Sequence, residues 1–219
     1  MMKSAVAAEP IACHADSGDQ VQVLIVAEGL TSCQQERDRA QSRDELSALA
    51  QAAQTAGSIF GAAGVYLLDL PDNRLDSLDR LDLIKRIEEC VERHQPECVY
   101  VHHIGDLNVD HRRLREAVVT SCRPTLSEVM KRLLLLRFEV VSSTECQPPG
   151  SAPAFQPDWF VDTSDQWARK REALAAYASE MRYWSHARSL EAVVHLAPWR
   201  GEQVGVEAAE AICLLRHPV

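Results

Sequence analysis

The sequence predicts an α/β fold in which a mostly parallel sheet is flanked by helices, and three observations predict it. Short apolar, β-rich runs alternate along the chain with longer segments whose apolar residues recur at helical spacing. Turn-forming clusters separate the runs from those segments. One such cluster, directly after the third run, gathers imidazoles and carboxylates, and open α/β sheets keep their chemistry at the carboxyl ends of strands.

The first run, Gln20 to Ala27, reads as a buried strand ending in the polar turn Glu28-Gly29-Leu30-Thr31-Ser32. From about Glu36 to Phe60 the chain is rich in Ala, Gln and charge and free of proline, hence helical. Val65 to Leu68 is a second strand, closed by the turn Leu70-Pro71-Asp72-Asn73-Arg74. Leu78, Leu81, Ile84, Ile87 and Val91 then mark an amphipathic helix. Cys98 to Val101 is the third strand, and Arg112 to Cys122 a helix stopped by Pro124. Further on come a strand over Leu133 to Val141, a Pro-rich loop over Gln147 to Pro157 and a short extended piece at Phe160-Val161-Asp162. A helix over Ser164 to Met181 with Ser164 as N-cap, a shorter one over Ser189 to Leu196, and a closing strand over Ala211 to Leu215 complete the pattern.

Bulk properties narrow the function. A chain of 219 residues is most economically one domain with a core that needs no staples. Net charge −9 argues against a general nucleic-acid surface. No apolar stretch is long enough for a membrane span, and no signal peptide is visible, so a cytoplasmic protein is expected. Seven scattered cysteines without a C-x-x-C pair read as reduced, buried thiols.

The segment His102-His103-Ile104-Gly105-Asp106-Leu107-Asn108-Val109-Asp110-His111 carries the chemistry. His111 stands in the opening turn of a helix, where the macrodipole disfavours imidazolium and leaves the neutral ring that binds zinc. Asp110 beside it can accept from the ring or from metal-bound water; equally, Asp110 caps the helix and His111 is an ordinary exposed residue. His102 and His103 point to opposite faces, and each is as readily structural as liganding. Asp106 reads mainly as a loop former, and Asn108, three residues before His111, less so. A later cluster holds Trp184, His186, Arg188, Trp199, Arg200, Gly201, Gly205 and Glu210. It suits a sugar-like ligand and equally a capped helix with its indoles in the core.

These motifs resemble the bacterial branch of the PIG-L/LmbE-like N-deacetylases. The resemblance runs from about His14 to the C-terminus, through VLIVAEGLTS, the Arg43 helix, LLDLPDNRLDSL, HHIGDLNVDHRRLREAVVTSCRP, PDWFVD, KREALAAYASEMR, HARS and RG-x3-G-x3-AEA, in that order. It implies a Rossmann-like sheet and a zinc-dependent amide hydrolase acting on an N-acetylglucosamine-type sugar conjugate. By resemblance, His111 matches the third metal ligand and Asp110 its supporting acid, while Asn108 stands where many relatives have histidine. Arg43 matches an arginine that positions substrate, and His186, Arg188, Arg200 and Gly201 fall in the sugar pocket. The implied partners are a small N-acetyl sugar conjugate, with no nucleic acid and no membrane span; a homo-oligomer is left open.

One motif of the family is not found. Relatives begin with an apolar strand ending in His-Pro-Asp-Asp-Glu, which supplies two metal ligands and the catalytic aspartate. His14-Ala15-Asp16 is a poor substitute, because it aligns with the end of the family's first helix. Only thirteen residues precede His14. A strand of about five residues and a crossover helix of about ten do not fit beside the motif. The expectation is therefore a single LmbE-like domain over residues 1–219 that is N-terminally incomplete and lacks its first strand, an unfinished gene record rather than a decayed copy. With two zinc ligands missing, weak zinc affinity and negligible turnover are expected. The alternative is a catalytically dead relative that binds a sugar or a partner.

Overall fold

Two parallel strand pairs, each joined through intervening helices, carry the alternation read from the sequence. The computed structural model describes residues 8–29, 38, 41–124 and 128–217. They form two compact units, one from residues up to 72 together with 160–210, the other from 73–159 together with residues from 211 on.

In the first unit, β1 (Gln22–Ala27) runs parallel to β2 (Gly64–Leu70), with Gln22 opposite Gly64 and Ile25 opposite Leu67. Between them lies α2 (Arg43–Phe60), with Asp44 and Glu45 in the first turn, where the helix dipole favours acids. It ends at Gly61, whose φ of 78° lets its N–H return to Gly57 and Ser58. Leu49, Ala53, Ala56 and Phe60 recur every three or four residues and are the face it buries. Gly57 permits close approach to the strand: a Cβ there would lie 2.4 Å from Val65 Cγ2. That core also takes Ala12 of α1 (Ala8–Asp16), Leu174 of α6 (Trp167–Ala176) and Val193 of α7 (Leu190–Glu202). Deep in the unit Lys170 Nζ lies 2.6 Å from Glu9 Oε2 and 2.8 Å from Glu210 Oε1.

The second unit is built on β3 (Cys98–His102), parallel to β4 (Leu134–Phe138) with His102 opposite Phe138. β4 pairs antiparallel with β6 (Ala209–Arg216), whose residues from 211 on belong to this unit. The short strand β5 is Trp159–Asp162. α3 (Arg80–His94), α4 (Val109–Ser121) and the short α5 (Glu128–Arg132) accompany them. The sheet structure is thus mostly parallel, and its hydrogen-bonded strands fall into a two-stranded and a four-stranded group.

Several boundaries differ from expectation for local reasons. Asp79 caps α3 by accepting the Leu81 N–H at 2.8 Å, so Leu78 stays outside the helix and Leu81 faces solvent. α4 begins at Val109 because Asn108 caps it. β4 stops at Phe138, since the Thr144 hydroxyl takes the Val140 N–H at 2.9 Å and turns the chain. Ser164 is not a helix cap: it opens a 3-10 turn, and Asp162 Oδ1 accepts its N–H and hydroxyl. Ser189 does cap α7, which continues through Pro198 to Glu202. Of the six described cysteines only Cys122 and Cys213 are buried, and Cys146 is exposed. The turn residues 30–32 and the start of the helix expected from Glu36 lie outside the described residues, apart from residue 38.

Candidate functional site

β3 delivers its last residues into a short loop that α4 closes. His103 N–H donates to Phe138 O at 3.1 Å, carrying the ladder one residue past the strand. The pleat then sends the two neighbouring imidazoles apart. His103 is 1% exposed, places Nε2 2.8 Å from Pro153 O, and meets Phe155 edge-on. Burial holds its pKa below the ordinary histidine value, with the Pro153 carbonyl opposing. Gly105 makes this possible, because a Cβ there would stand 2.1 Å from Pro153 O. His102 turns the other way and stacks on His111, ring centroids 3.8 Å apart.

Asp106 is the centre of the loop. It is fully buried, and its Oδ1 accepts the Asn108 N–H at 2.8 Å. Its Oδ2 accepts the hydroxyls of Ser143 and Thr144, each at 2.8 Å, and lies 3.0 Å from His111 Nδ1. Burial alone would push the carboxyl up; the hydrogen bond and charge of His111, then the Asn108 N–H and the Ser143 hydroxyl, outweigh it and hold the pKa down at about 2. A carboxylate facing this many donors stays ionised, and Nδ1 of His111 therefore carries a proton. The lone pair of the neutral ring is then on Nε2. His111 is itself buried, at 3% exposed.

Asn108 caps α4: its Oδ1 accepts the N–H groups of Asp110 and His111 at 3.0 and 3.2 Å, and its amide donates to Asn73 Oδ1. Asp110 uses its two oxygens to accept the N–H groups of Asn73 and Leu75, at 2.6 and 3.0 Å. The carboxylate 3.0 Å from His111 Nδ1 is that of Asp106, while both Asp110 oxygens accept backbone N–H groups. Arg112 closes the loop from outside by donating to the carbonyls of Asp106 and Leu107, both at 2.7 Å.

Arg43, His186, Arg188, Arg200 and Gly201 belong to the first unit. Arg43 is the exposed first residue of α2. His186 is exposed, and its Nδ1 accepts the Arg188 N–H at 2.9 Å. Arg200 is half-buried near the end of α7. Gly201 is buried against the returning chain, where a Cβ would meet Val206 O at 2.6 Å, so its smallness serves packing. Trp184 and Trp199 are 59% and 60% exposed: these indoles lie at the surface, Trp184 edge-on to His195. Glu210 is not in that cluster but in the buried triad with Lys170. His14 and Asp16 end α1 in surface pairs, His14 with Asp19 and Asp16 with Arg169. Reasoning from sequence undervalued Asp106 and missed Ser143 and Thr144, whose only local signal is a polar Ser-Ser-Thr run after a strand.

A sequence profile described as "PIG-L: GlcNAc-PI de-N-acetylase" matches residues 4–122, more than half of the chain. The chain belongs to the PIG-L family. No curated protein matches it by sequence. Among solved structures the PIG-L chain is similar to the 4-carboxy-2-hydroxymuconate hydratase GalB from Pseudomonas putida KT2440, with 22% identity, a TM-score of 0.74, and coverage of 97% of this chain and 91% of that one. It is similar too to an N,N'-diacetylchitobiose deacetylase from Pyrococcus horikoshii, with 16% identity, a TM-score of 0.72, and coverage of 97% and 79%. A third is a zinc-inhibited form of a teicoplanin deacetylase, with 14% identity, a TM-score of 0.71, and coverage of 98% and 94%. At such identities these likenesses show the PIG-L fold and leave the reaction to the site.

Zinc can be tested against the residues present. An imidazole whose Nδ1 is held by a buried carboxylate is oriented as metal-binding histidines are. A catalytic zinc takes three protein donors, however, and among the described residues no three His, Cys, Asp or Glu side chains group to hold a metal ion. The described residues thus do not fit a complete zinc centre, and no reaction step is derived through one. No described helix is long and apolar enough to cross a membrane.

Proposed function

We propose that this chain is an N-deacetylase of the PIG-L type, hydrolysing the amide of an N-acetylglucosamine-type sugar conjugate. The observation that carries the reading is the buried Asp106–His111 pair at the carboxyl end of β3, in a chain whose family is described by de-N-acetylation. His111 is the protein's anchor for zinc, with Asp106 fixing its ring and Asn108 and Asp110 holding the helix start that presents it. Zinc dependence is supported by the family and by the similar deacetylase solved in a zinc-inhibited form. Arg43, His186, Arg188 and Arg200 are the side chains proposed to meet the sugar, and the protein acts on a small conjugate in the cytoplasm.

The hydratase among the similar structures shares the fold, so fold does not choose between adding water to an amide and to a double bond. Acetate release from N-acetylglucosamine conjugates, with zinc supplied, tests the reading. Acetate release by the purified protein, abolished in His111→Gln, would support the reading against the negligible turnover expected if two zinc ligands are missing. Wild-type turnover in His111→Gln overturns the role of His111. No release by the wild type, together with measurable sugar binding, favours the second reading, a non-catalytic sugar- or partner-binding relative. That second reading has its own support in the lack of a three-donor group among the described residues.

A further inference from the structure

The loop holding His111 is itself held by residues far along the chain. Val140 O accepts the N–H groups of both Ser143 and Thr144, at 3.0 and 2.7 Å, and this tight turn sets two consecutive hydroxyls beside Asp106. Both side chains converge on one oxygen, Oδ2, the atom that also faces His111 Nδ1. The Thr144 hydroxyl accepts the Val140 N–H, which directs its own proton at the carboxylate. Ser143 Oγ lies 3.4 Å from His111 Nδ1 as well, so it flanks the pair it supports. All four residues are at most 6% exposed, and no bulk water stands in for a lost donor. Both hydroxyls lie beyond residue 122, where the family match ends.

We propose that Ser143 and Thr144 are positioning residues: their hydroxyls fix the Asp106 carboxylate so that it keeps the proton of His111 on Nδ1 and the lone pair on Nε2. The inference rests on the reading of His111 as the functional imidazole. An oxygen already holding two hydroxyl protons is a poor base toward the ring, so the proton stays on the nitrogen. The same two bonds stop the carboxylate from rotating away and releasing the ring to its other tautomer.

Long-range proton–nitrogen correlation spectra of the full chain at neutral pH read which ring nitrogen is protonated, and solvent exchange of that N–H reads how firmly it is held. His111→Gln assigns the signal. The wild type should show a slowly exchanging Nδ1–H. Ser143→Ala and Thr144→Val should each speed its exchange by about tenfold or more, the worth of one charge-assisted hydrogen bond. Thr144→Ser, which keeps the hydroxyl, should restore the wild-type rate. Wild-type exchange and tautomer in both Ser143→Ala and Thr144→Val would overturn the proposal; if Thr144→Val does not fold, Ser143→Ala decides alone. A purely structural role of Thr144, through Val140, would lower the melting temperature without moving this signal. Loss of acetate release in His111→Gln beside an unmoved signal in Ser143→Ala sinks the positioning role and leaves the function standing. The opposite pair of results sinks the function alone.

Discussion

Lys170→Met tests whether the first unit is held by its buried charges. Lys170 Nζ donates to Glu9 at 2.6 Å and to Glu210 at 2.8 Å, and the side chains are 4%, 0% and 7% exposed in the order Lys170, Glu9, Glu210. Met keeps the apolar stem and removes the cation, leaving two carboxyls facing one another. Two charge-assisted bonds at about 1.5–3 kcal/mol each suggest a loss of roughly 3–6 kcal/mol. Breaking a buried pair from one side independently costs about 3–5 kcal/mol. Either figure is a large share of a typical stability of about 5–15 kcal/mol. Burial, then the charge of Glu9, raises Glu210 well above the usual carboxylate range, with Lys170 opposing. That direction favours a proton held within the triad. A raised carboxyl contributes stability that is full below its unfolded value, about 4.3, and is lost as pH climbs through the folded one. Glu210→Gln, which mimics the protonated carboxyl, should cost under about 1 kcal/mol at mildly acidic pH and flatten that decline. Urea titrations of the three proteins from mildly acidic to alkaline pH measure all of this. Lys170→Met within about 1 kcal/mol of the wild type, or Glu210→Gln as damaging as Lys170→Met, would refute the reasoning.

Asp106→Asn addresses the second unit. The carboxyl is depressed from 3.8 to about 2, so its contribution, on the order of 2–3 kcal/mol, is present above the unfolded value and lost as pH falls through about 2. The variant should lose that acid limb in urea titrations, and an unchanged limb would contradict the assignment. Gly105→Ala would put a Cβ 2.1 Å from Pro153 O and 2.8 Å from His103 Nε2. It should break the His103–Pro153 contact and lower stability by about 1–3 kcal/mol. A melting temperature equal to the wild type's would show that the loop shifts at no cost.

The parts of the site that could be read in advance are those whose causes lie close in sequence. Asn108 and His111 are three residues apart, and a cap with a helix start is a local matter, so the imidazole at position 111 is legible as a candidate. Asp106 looked like a loop former because nothing near it announces a partner. Its two hydroxyl donors come from 37 and 38 residues away. The partners of Asp110, Asn73 and Leu75, are equally distant in sequence, at 37 and 35 positions.

Periodicity, turn chemistry and caps by themselves determined the strand–helix alternation and the mostly parallel pairing, because each is written within a few residues of itself, while the family came from the resemblance of its motifs, in order, along the chain. Only the tertiary structure decided which carboxylate backs His111, where the exposed indoles lie, and that Glu9, Lys170 and Glu210 form one buried triad. Lys170 and Glu9 stand 161 positions apart. Charges so separated acquire an energy only once folding removes the water between them, and no local pattern records that removal.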